Sequence, residues 1–408
     1  MNNSITNVFR LLLGTFLACL VPSVCIMAVV WFADPGQVFH GRNPDTPYLA
    51  DQLWQTPATI REHFIRGEDG KVAIVGASLA WKILPEDVRD ILGLEGTYNL
   101  SSGGNGPEAV LEHLQLLFSV RSPEVVICDI EGDYYFLDEA ATMPRKENIS
   151  FLIRGDIIAK LQYLFNKTAF FYSFNMLTGN YPNQEFSDSP NMESAYQMQR
   201  ASGRRGFSLF SEPKRREHLL REREVTREAA RAAYETILRE REAGLAVELE
   251  FHAIDNLVSL MRLHPETEFI FYVPPTPSIR DPAWPGQIRY YYHYYYGMKH
   301  LVQRTAPLAN ARVFAFGDKR EMVENMANYR DYWHGALGIP RYFLYSVREG
   351  LNQIDSRNVD AYLARTYALL VGGDIYFDPE NSSAFEGRVN EDAYGKYPYP
   401  PSKYARQK

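Results

Sequence analysis

Short apolar runs recur along the chain from residue 71 onward, and each ends in small or turn-forming residues. The runs are KVAIVGAS (71–78), GTYNLS (96–101), PEVVICDI (123–130), TEFIFYVPP (267–275) and ARVFAFG (311–317). Runs of this length and composition predict buried strands, and segments with helical periodicity separate them. Strands that alternate with helices indicate a parallel sheet with helices on both faces. We therefore expect a three-layer α/β/α protein with a central, mostly parallel five-stranded sheet.

The N-terminal stretch has a different pattern, because no charged residue occurs between Leu11 and Phe32. A helix of that length spans about 30 Å, the thickness of the hydrocarbon core of a bilayer. A cleaved signal peptide and a buried core helix are the alternatives. The run is longer than the apolar region of a signal peptide, and it has no polar face. We expect one retained transmembrane helix, which makes residues 1–33 a membrane anchor.

Charges on either side of this stretch predict its orientation. Arg10 precedes the apolar run and Asp34 follows it. The positive-inside rule then places the short N-terminus in the cytoplasm and the rest of the chain outside. For a bacterial chain, this predicts a single-pass protein of the inner membrane whose main domain is periplasmic. Cys128 is the only cysteine after the run, and one thiol without an internal disulfide partner is compatible with that compartment.

The remainder of the chain is expected to form one main domain and a tail. The domain covers residues 34–378, and a largely helical insertion at about 137–245 separates the third strand from the fourth. The insertion contains an Arg/Glu-rich helix at 214–242, for which the simplest interpretation is a solvated face with ion pairs between successive turns. Residues 379–408 are rich in Pro, Tyr, Ser and Gly, which predicts an irregular tail.

Composition excludes several classes of function. The formal net charge of the 408 residues is -7, which gives no support to a nucleic-acid partner. The nine histidines are scattered, and the chain has no HExxH motif or Cys/His cluster, so we expect no metal site. A phosphate-binding Gly-Lys-Ser/Thr loop and a Rossmann GxGxxG motif are also absent from the sequence. We expect no cofactor.

Three segments carry residues that could do chemistry. Ser78 follows the first strand directly, and Gly104 and Asn105 lie in a Gly-rich loop after the second. Asp331 and His334 are three residues apart, after the fifth strand. Catalytic groups of parallel α/β proteins gather at the carboxyl ends of the strands. Considered singly, each segment has a simpler explanation, which is a helix-capping serine, a tight turn or a packed histidine.

Together the three segments resemble the SGNH (GDSL-like) hydrolase superfamily. The resemblance covers about residues 70–136 and 265–350, and it implies a Ser-His-Asp triad. Ser78 would be the nucleophile, His334 the general base and Asp331 the residue that orients it. The resemblance is strongest to membrane-anchored members that act in alginate and cellulose O-acetylation and in D-alanine transfer to teichoic acid. Such members commonly work beside a membrane-bound O-acyltransferase.

The resemblance also implies an oxyanion hole, in which Gly104 would donate its N–H and Asn105 and Asp133 would contribute to substrate binding. Here the chain departs from the pattern, because hydrolases carry Gly-x-Asn-Asp where this sequence has Glu131-Gly132-Asp133-Tyr134. An ionised carboxylate cannot donate a hydrogen bond to an oxyanion. Asp133 is therefore expected to be a structural acceptor or a substrate contact.

Two functions remain open from the sequence. The first is a serine O-acyltransferase or carbohydrate esterase, acting on acetyl or other O-acyl groups of an exported polysaccharide. The second is an inactive SGNH-like interaction component of a polysaccharide export or acylation complex. A membrane-bound O-acyltransferase or a polysaccharide synthase is the expected protein partner. The loop Pro274-Pro275-Thr276 is expected to line the substrate site. Most rings of the Tyr-rich segment 290–296 are expected to pack at a helix start or in a subunit contact, and at most one or two of them to contact ligand.

Overall fold

The computed structural model describes residues 2–35, 38–40, 60, 64–65, 69–101, 106–137, 156–179, 213–280, 286–329, 332–335 and 338–378. The chain divides into two compact units. Residues Met1–Gly67 and Arg145–Pro190 form the first, called here the N-terminal unit. Residues Glu68–Pro144 and Asn191–Lys408 form the second, called here the sheet unit.

The sheet unit contains a five-stranded sheet in which every pair of neighbouring strands is parallel. Its strands are β1 (Val72–Val75), β2 (Thr97–Asn99), β3 (Val125–Asp129), β4 (Glu268–Val273) and β5 (Ala311–Ala315). They lie in the order β2-β1-β3-β4-β5. All five strands fall within the apolar runs, so the prediction of a five-stranded parallel sheet is confirmed.

Nine α-helices are described in the sheet unit, together with short 3-10 helices at Ala80–Lys82 and Met326–Asn328. Those before β4 are α2 (Pro85–Leu92), α3 (Pro107–Val120), α4 (Gly132–Tyr135), α7 (Pro213–Glu242) and α8 (His252–Leu263). Those after β4 are α9 (Gln287–Thr305), α10 (Arg320–Val323), α11 (Gly338–Glu349) and α12 (Val359–Gly372). Proline begins both α2 and α3, where its missing N–H costs nothing and its fixed φ favours the helix.

The connections explain how the helices cover the sheet. The chain crosses from β1 outward to β2 and then returns past β1 to β3, so right-handed crossovers put α2 and α3 on opposite faces. Helix α2 packs against α11, whereas α3 packs against α8 and α8 against α9. Helix α9 also packs against α7 and α12. The chain adds β2 on one side of β1, and then adds β3, β4 and β5 in turn on the other side. Open α/β sheets bind ligands at the carboxyl ends of the strands where the order changes side in this way, here between β1 and β3.

Strand residues of the sheet are almost all buried, as expected for a sheet covered on both faces. One apolar core joins alternate strand residues to side chains of α2 and α11. Its members include Ile74, Ile127, Ile270, Phe314, Val88 and Phe343. Side chains from the segments that follow β1, β4 and β5, among them Ala80, Ile279 and Tyr329, belong to the same core, so these segments are packed against the sheet.

Helix α7 is the charge-rich segment for which the sequence indicated a solvated face. Several of its side chains are instead buried, among them Glu222 and Arg223. The Arg223 guanidinium donates to the carbonyl oxygens of Leu369 and Gly373 at the end of α12. The charge pattern alone did not show which arginines point inward, because these partners lie about 150 residues away in sequence.

The N-terminal unit contains three described helices, α1 (Asn2–Ala33), α5 (Ile157–Leu164) and α6 (Lys167–Thr178). Helix α1 packs against both of the others. Buried Val30, Val38, Tyr163 and Ala169 form a small core between them. Two polar residues begin the shorter helices: Asp156 accepts a hydrogen bond from Ala159 N–H, and Asn166 accepts one from Ala169 N–H.

Across the described residues, no helix meets the combined requirement of length and hydropathy for crossing a membrane. The structure therefore gives no support to the anchor predicted at Leu11–Phe32, which stays a prediction. The predicted insertion at about 137–245 contributes α5 and α6 to the N-terminal unit and α7 to the sheet unit. The predicted tail at 379–408 lies outside the described residues.

Candidate active site

The fold brings together two side chains that are 256 residues apart in sequence. Ser78 lies in the turn after β1, and His334 lies in the loop that precedes α11. The distance between Ser78 Oγ and His334 Nε2 is 2.8 Å, and the pair is partly buried. An imidazole nitrogen at this distance can accept the serine proton, which is the requirement for a nucleophilic serine.

Asp129, at the carboxyl end of β3, binds the backbone of the turn that carries Ser78. Its buried carboxylate accepts hydrogen bonds from the N–H groups of Ala77, at 3.2 Å, and Ala80, at 3.0 Å. Gly76 has a φ of 148°, and a Cβ atom there would collide with the Asp129 carboxylate. Glycine at this position therefore lets Asp129 reach the turn.

A second carboxyl group supports the same turn. Glu131 accepts a hydrogen bond from the Leu79 N–H. Desolvation raises the pKa of Glu131 well above its ordinary value, and the carboxylates of Asp129 and Asp133 raise it further. Burial likewise raises the pKa of Asp129 to about 7, although the hydrogen bonds from Ala77 and Ala80 lower it. Two carboxyl groups thus fix the backbone on either side of Ser78.

Asn99, the last residue of β2, joins the first two loops of this edge. Its amide nitrogen donates to the carbonyl oxygens of Ala80 and Ile83, both at 3.0 Å. Its amide oxygen accepts from the Ser101 N–H at 2.9 Å and from the Ser101 hydroxyl. The end of the turn that carries Ser78 is therefore connected to the start of the Gly-rich loop after β2.

Contacts with two other segments, and one bridge within the loop, position the loop that carries His334. Lys82, just after the Ser78 turn, donates to the carbonyl oxygen of Gly335. The Tyr332 hydroxyl donates to the carboxylate of Glu222 in α7 at 2.6 Å. Tyr329 pairs with Gly335 across the loop. Lys82 thus connects the loop to the segment that carries Ser78, and Tyr332 connects it to α7.

Asp133 forms a charged cluster beside this loop. Both of its carboxylate oxygens accept hydrogen bonds from Arg280, at 2.5 Å, and the Trp333 ring N–H lies 3.3 Å from one of them. The Arg280 side chain is only 2% exposed, and its guanidinium lies over the Tyr290 ring. Burial opposes the charge of Arg280, but Asp133 more than compensates and the pKa of Arg280 is raised. Asp133 thus acts as a structural acceptor, and one of its donors is Trp333, the residue that precedes His334.

A small pocket lies beside the segments that carry Ser78 and His334, although neither of these two residues lines it. It is lined by the neighbours of both residues, Leu79 and Trp333, and by the loop after β4 that was expected to contact substrate, Pro274-Pro275-Thr276. Two rings of the Tyr-rich segment, Tyr290 and Tyr294, also line it. Other rings of that segment are used for packing or bind α7, where Tyr292 and Tyr296 donate to Glu240.

The structure thus brings Ser78 and His334 into hydrogen-bond distance. Asp133 does not belong to that pair but contacts Trp333, the residue that precedes His334. The predicted positions Gly104, Asn105 and Asp331 lie outside the described residues. Sequence reasoning missed the supporting carboxyl group of Asp129 and the partner of Asp133, which is Arg280. Among the residues that the structure describes, no group of His, Cys, Asp and Glu side chains could hold a metal ion.

Comparisons with known proteins add no assignment to this geometry. The chain matches no protein-family model, no curated protein and no solved structure.

The raised pKa of Asp129 predicts a particular dependence of stability on pH. An acid whose pKa rises on folding, here from 3.8 to about 7, stabilises the fold fully at pH values below about 4 and loses that contribution as the pH rises through 7. Asp129→Asn resembles the protonated carboxyl group and cannot ionise. We expect the wild-type melting temperature to fall between pH 5 and pH 8, and to fall less in this variant. Equal decreases in the two proteins would exclude Asp129 as the titrating group.

Proposed function

We propose that this protein is a serine acyltransferase or esterase that acts on O-acyl groups of a carbohydrate. The observation that carries the proposal is the 2.8 Å distance between Ser78 Oγ and His334 Nε2 at the carboxyl edge of a parallel sheet. The five-stranded parallel sheet and the position of the serine after β1 support it, since both are expected from the resemblance to SGNH hydrolases.

The proposed reaction has two steps. In the first, Ser78 Oγ attacks the acyl carbonyl carbon while His334 Nε2 takes the serine proton. The alcohol then leaves with that proton, and the acyl group stays on Ser78 as an ester. In the second, a sugar hydroxyl or water attacks this ester, His334 again transfers the proton, and Ser78 is restored. In this proposal, Asp331 orients the imidazole.

Backbone contacts restrict which groups can stabilise the oxyanion. The N–H groups of Ala77 and Ala80 are bonded to Asp129, and that of Leu79 is bonded to Glu131. They are therefore not available to a substrate. Asp133 has a carboxylate, which accepts hydrogen bonds and does not donate them. The proposal consequently assigns the donors to the N–H groups of Ser78 and of Gly104, with Asn105 beside them.

The proposed substrate is an acylated, most simply acetylated, polysaccharide that is exported from the cell. We place the protein in the bacterial inner membrane through Leu11–Phe32, with the sheet unit in the periplasm. A membrane-bound O-acyltransferase or a polysaccharide synthase would be its partner. A fusion of alkaline phosphatase to the C-terminus tests this location, because the enzyme is active only outside the cytoplasm. An inactive fusion would contradict it.

A second candidate function is an inactive interaction component of the same kind of complex. The ion pair between Asp133 and Arg280 favours this candidate. It places a carboxylate, held by a buried cation, in the segment where hydrolases carry an asparagine that donates to the oxyanion. The Ser78–His334 hydrogen bond favours the enzyme.

One assay separates these functions. The purified chain is incubated with p-nitrophenyl acetate, with and without an oligosaccharide acceptor, and both nitrophenol release and acetylated oligosaccharide are measured. A transferase gives acetylated oligosaccharide, whereas an esterase gives nitrophenol at the same rate with or without acceptor. If neither product forms faster than in the buffer control, the inactive component is the better account.

A further inference from the structure

The N-terminal unit carries an unusual concentration of exposed apolar side chains. Of the twenty exposed large apolar side chains in the described residues, thirteen lie in this unit. Seven of them form what is called here the α5–α6 face: Ile157, Ile158, Leu161, Phe165, Phe171, Phe174 and Leu177. Their exposed fractions range from 44% to 69%. Soluble surfaces rarely carry so many large apolar groups within two short helices.

The two helices carry apolar residues on more than one side, and one side of each is already packed. In α5, Ala159 and Tyr163 are buried, and in α6, Ala169 and Ser173 are buried. These residues face α1 and the small core around Val30. The exposed residues recur at helical spacing on the opposite side. The α5–α6 face is therefore a surface left over after the unit has formed its own core.

The charges of these helices differ from those of the chain as a whole. Residues 157–179 contain two charged side chains, Lys160 and Lys167, and the one acidic group beside them is Asp156, which begins α5 and accepts a hydrogen bond from the Ala159 N–H. The whole chain has a formal net charge of -7. An apolar helix face flanked by lysines is typical of helices that lie in the interface of a bilayer with anionic lipids.

We propose that the α5–α6 face is a membrane-binding surface, which lies in the headgroup region of a bilayer that contains anionic lipid. The apolar side chains would enter the boundary with the acyl chains, and the lysines would extend to the phosphates. Helix α1 of the same unit also favours a bilayer as the partner of this face, because its exposed residues Leu20, Val21 and Val24 are apolar. The inference does not depend on the chemistry of Ser78.

A fluorescent label at one position of the face tests the proposal. Cys19 and Cys25 are replaced by Ser, whereas buried Cys128 is kept. Phe174→Cys then receives an environment-sensitive nitrobenzoxadiazole label. The full chain is reconstituted into phosphatidylcholine vesicles with or without phosphatidylglycerol. The matched control is Leu263→Cys, at the end of α8 in the sheet unit, where the leucine is 74% exposed.

In vesicles with phosphatidylglycerol, we expect the emission of the label at position 174 to shift to shorter wavelength. Nitroxide lipids labelled near the headgroup should reduce that emission about two-fold, because the face lies at this depth. The label at position 263 should change in neither respect. Leu161→Cys, on α5, serves as the second test position if Phe174→Cys does not fold.

Three results would overturn the proposal. Emission at position 174 that matches position 263 would place the face in water. A blue shift without quenching by nitroxide lipids would show that protein, such as a second copy of the chain, covers the face. An equal response in vesicles without phosphatidylglycerol would exclude the role given to the lysines and anionic lipid.

Discussion

Replacing Ser78 by Ala should lower acyl transfer or ester hydrolysis by a factor on the order of 10³ or more. The reason is that the Ser78 hydroxyl is the atom on which the proposed acyl intermediate forms, and no water bound in its place would be activated in the same geometry. The fold should remain intact, since the Ser78–His334 hydrogen bond is only partly buried. Initial rates and melting temperature measure the two effects.

His334→Ala should lower the rate about as much as Ser78→Ala, because a nucleophile and its base act as a unit and their losses do not add. The double variant should therefore be no worse than either single one. Ser119→Ala is the matched control: its hydroxyl lies exposed on α3 and bonds the Leu116 carbonyl oxygen. A rate that survives Ser78→Ala within a few-fold would remove Ser78 from the mechanism.

Asp133→Asn should destabilise the sheet unit by about 3 kcal/mol, because it leaves the Arg280 guanidinium buried with a neutral partner. The substitution also introduces an amide donor like the one that SGNH hydrolases carry in this segment, which by itself would raise esterase activity. The structure argues against that gain, since Asp133 binds Arg280 through both oxygens and holds Trp333 beside His334. Activity should fall together with stability. Thermal unfolding and initial rates measure both.

Two further variants isolate the role of this pair. Asp133→Asn combined with Arg280→Met removes both charges and should recover part of the lost stability, because no buried charge then lacks its partner. Glu224→Gln breaks the more exposed pair between Glu224 and Arg227 and should cost less than about 1 kcal/mol. A stable Asp133→Asn protein with a higher esterase rate than wild type would show that the carboxylate itself limits hydrolysis.

Local sequence patterns were sufficient to predict the sheet and the position of Ser78 at its carboxyl edge, but not the pairing of Ser78 with His334. Each strand is a short apolar run with a turn after it, and this signal needs no information from elsewhere in the chain. Ser78 follows from its position after β1, since parallel strands deliver their carboxyl ends to one edge. His334 required the resemblance, because nothing in residues 329–335 alone shows that the loop reaches Ser78.

The supporting groups could not be predicted in the same way. Arg280 binds Asp133 across 147 residues, and its own segment has no pattern that marks a buried cation. Asp129 left a weak signal, because a carboxylate that ends a fully apolar strand must find donors nearby. The sequence pattern did not distinguish α5 and α6 from the rest of the long segment between β3 and β4. Their membership in the N-terminal unit depends on long-range packing, which a local pattern does not show.

Covalent labelling by a fluorophosphonate tests the central claim most directly, since this reagent forms a stable bond with a serine only when a neighbouring base activates the hydroxyl. The full chain is treated with the reagent, digested and mapped by mass spectrometry, with the Ser78→Ala and His334→Ala variants in parallel. We predict one modified peptide that contains Ser78 in the wild type, no modification in Ser78→Ala and greatly slowed modification in His334→Ala. A folded wild-type chain that stays unmodified, or one that is modified equally when His334 is absent, would contradict a catalytic Ser78–His334 pair.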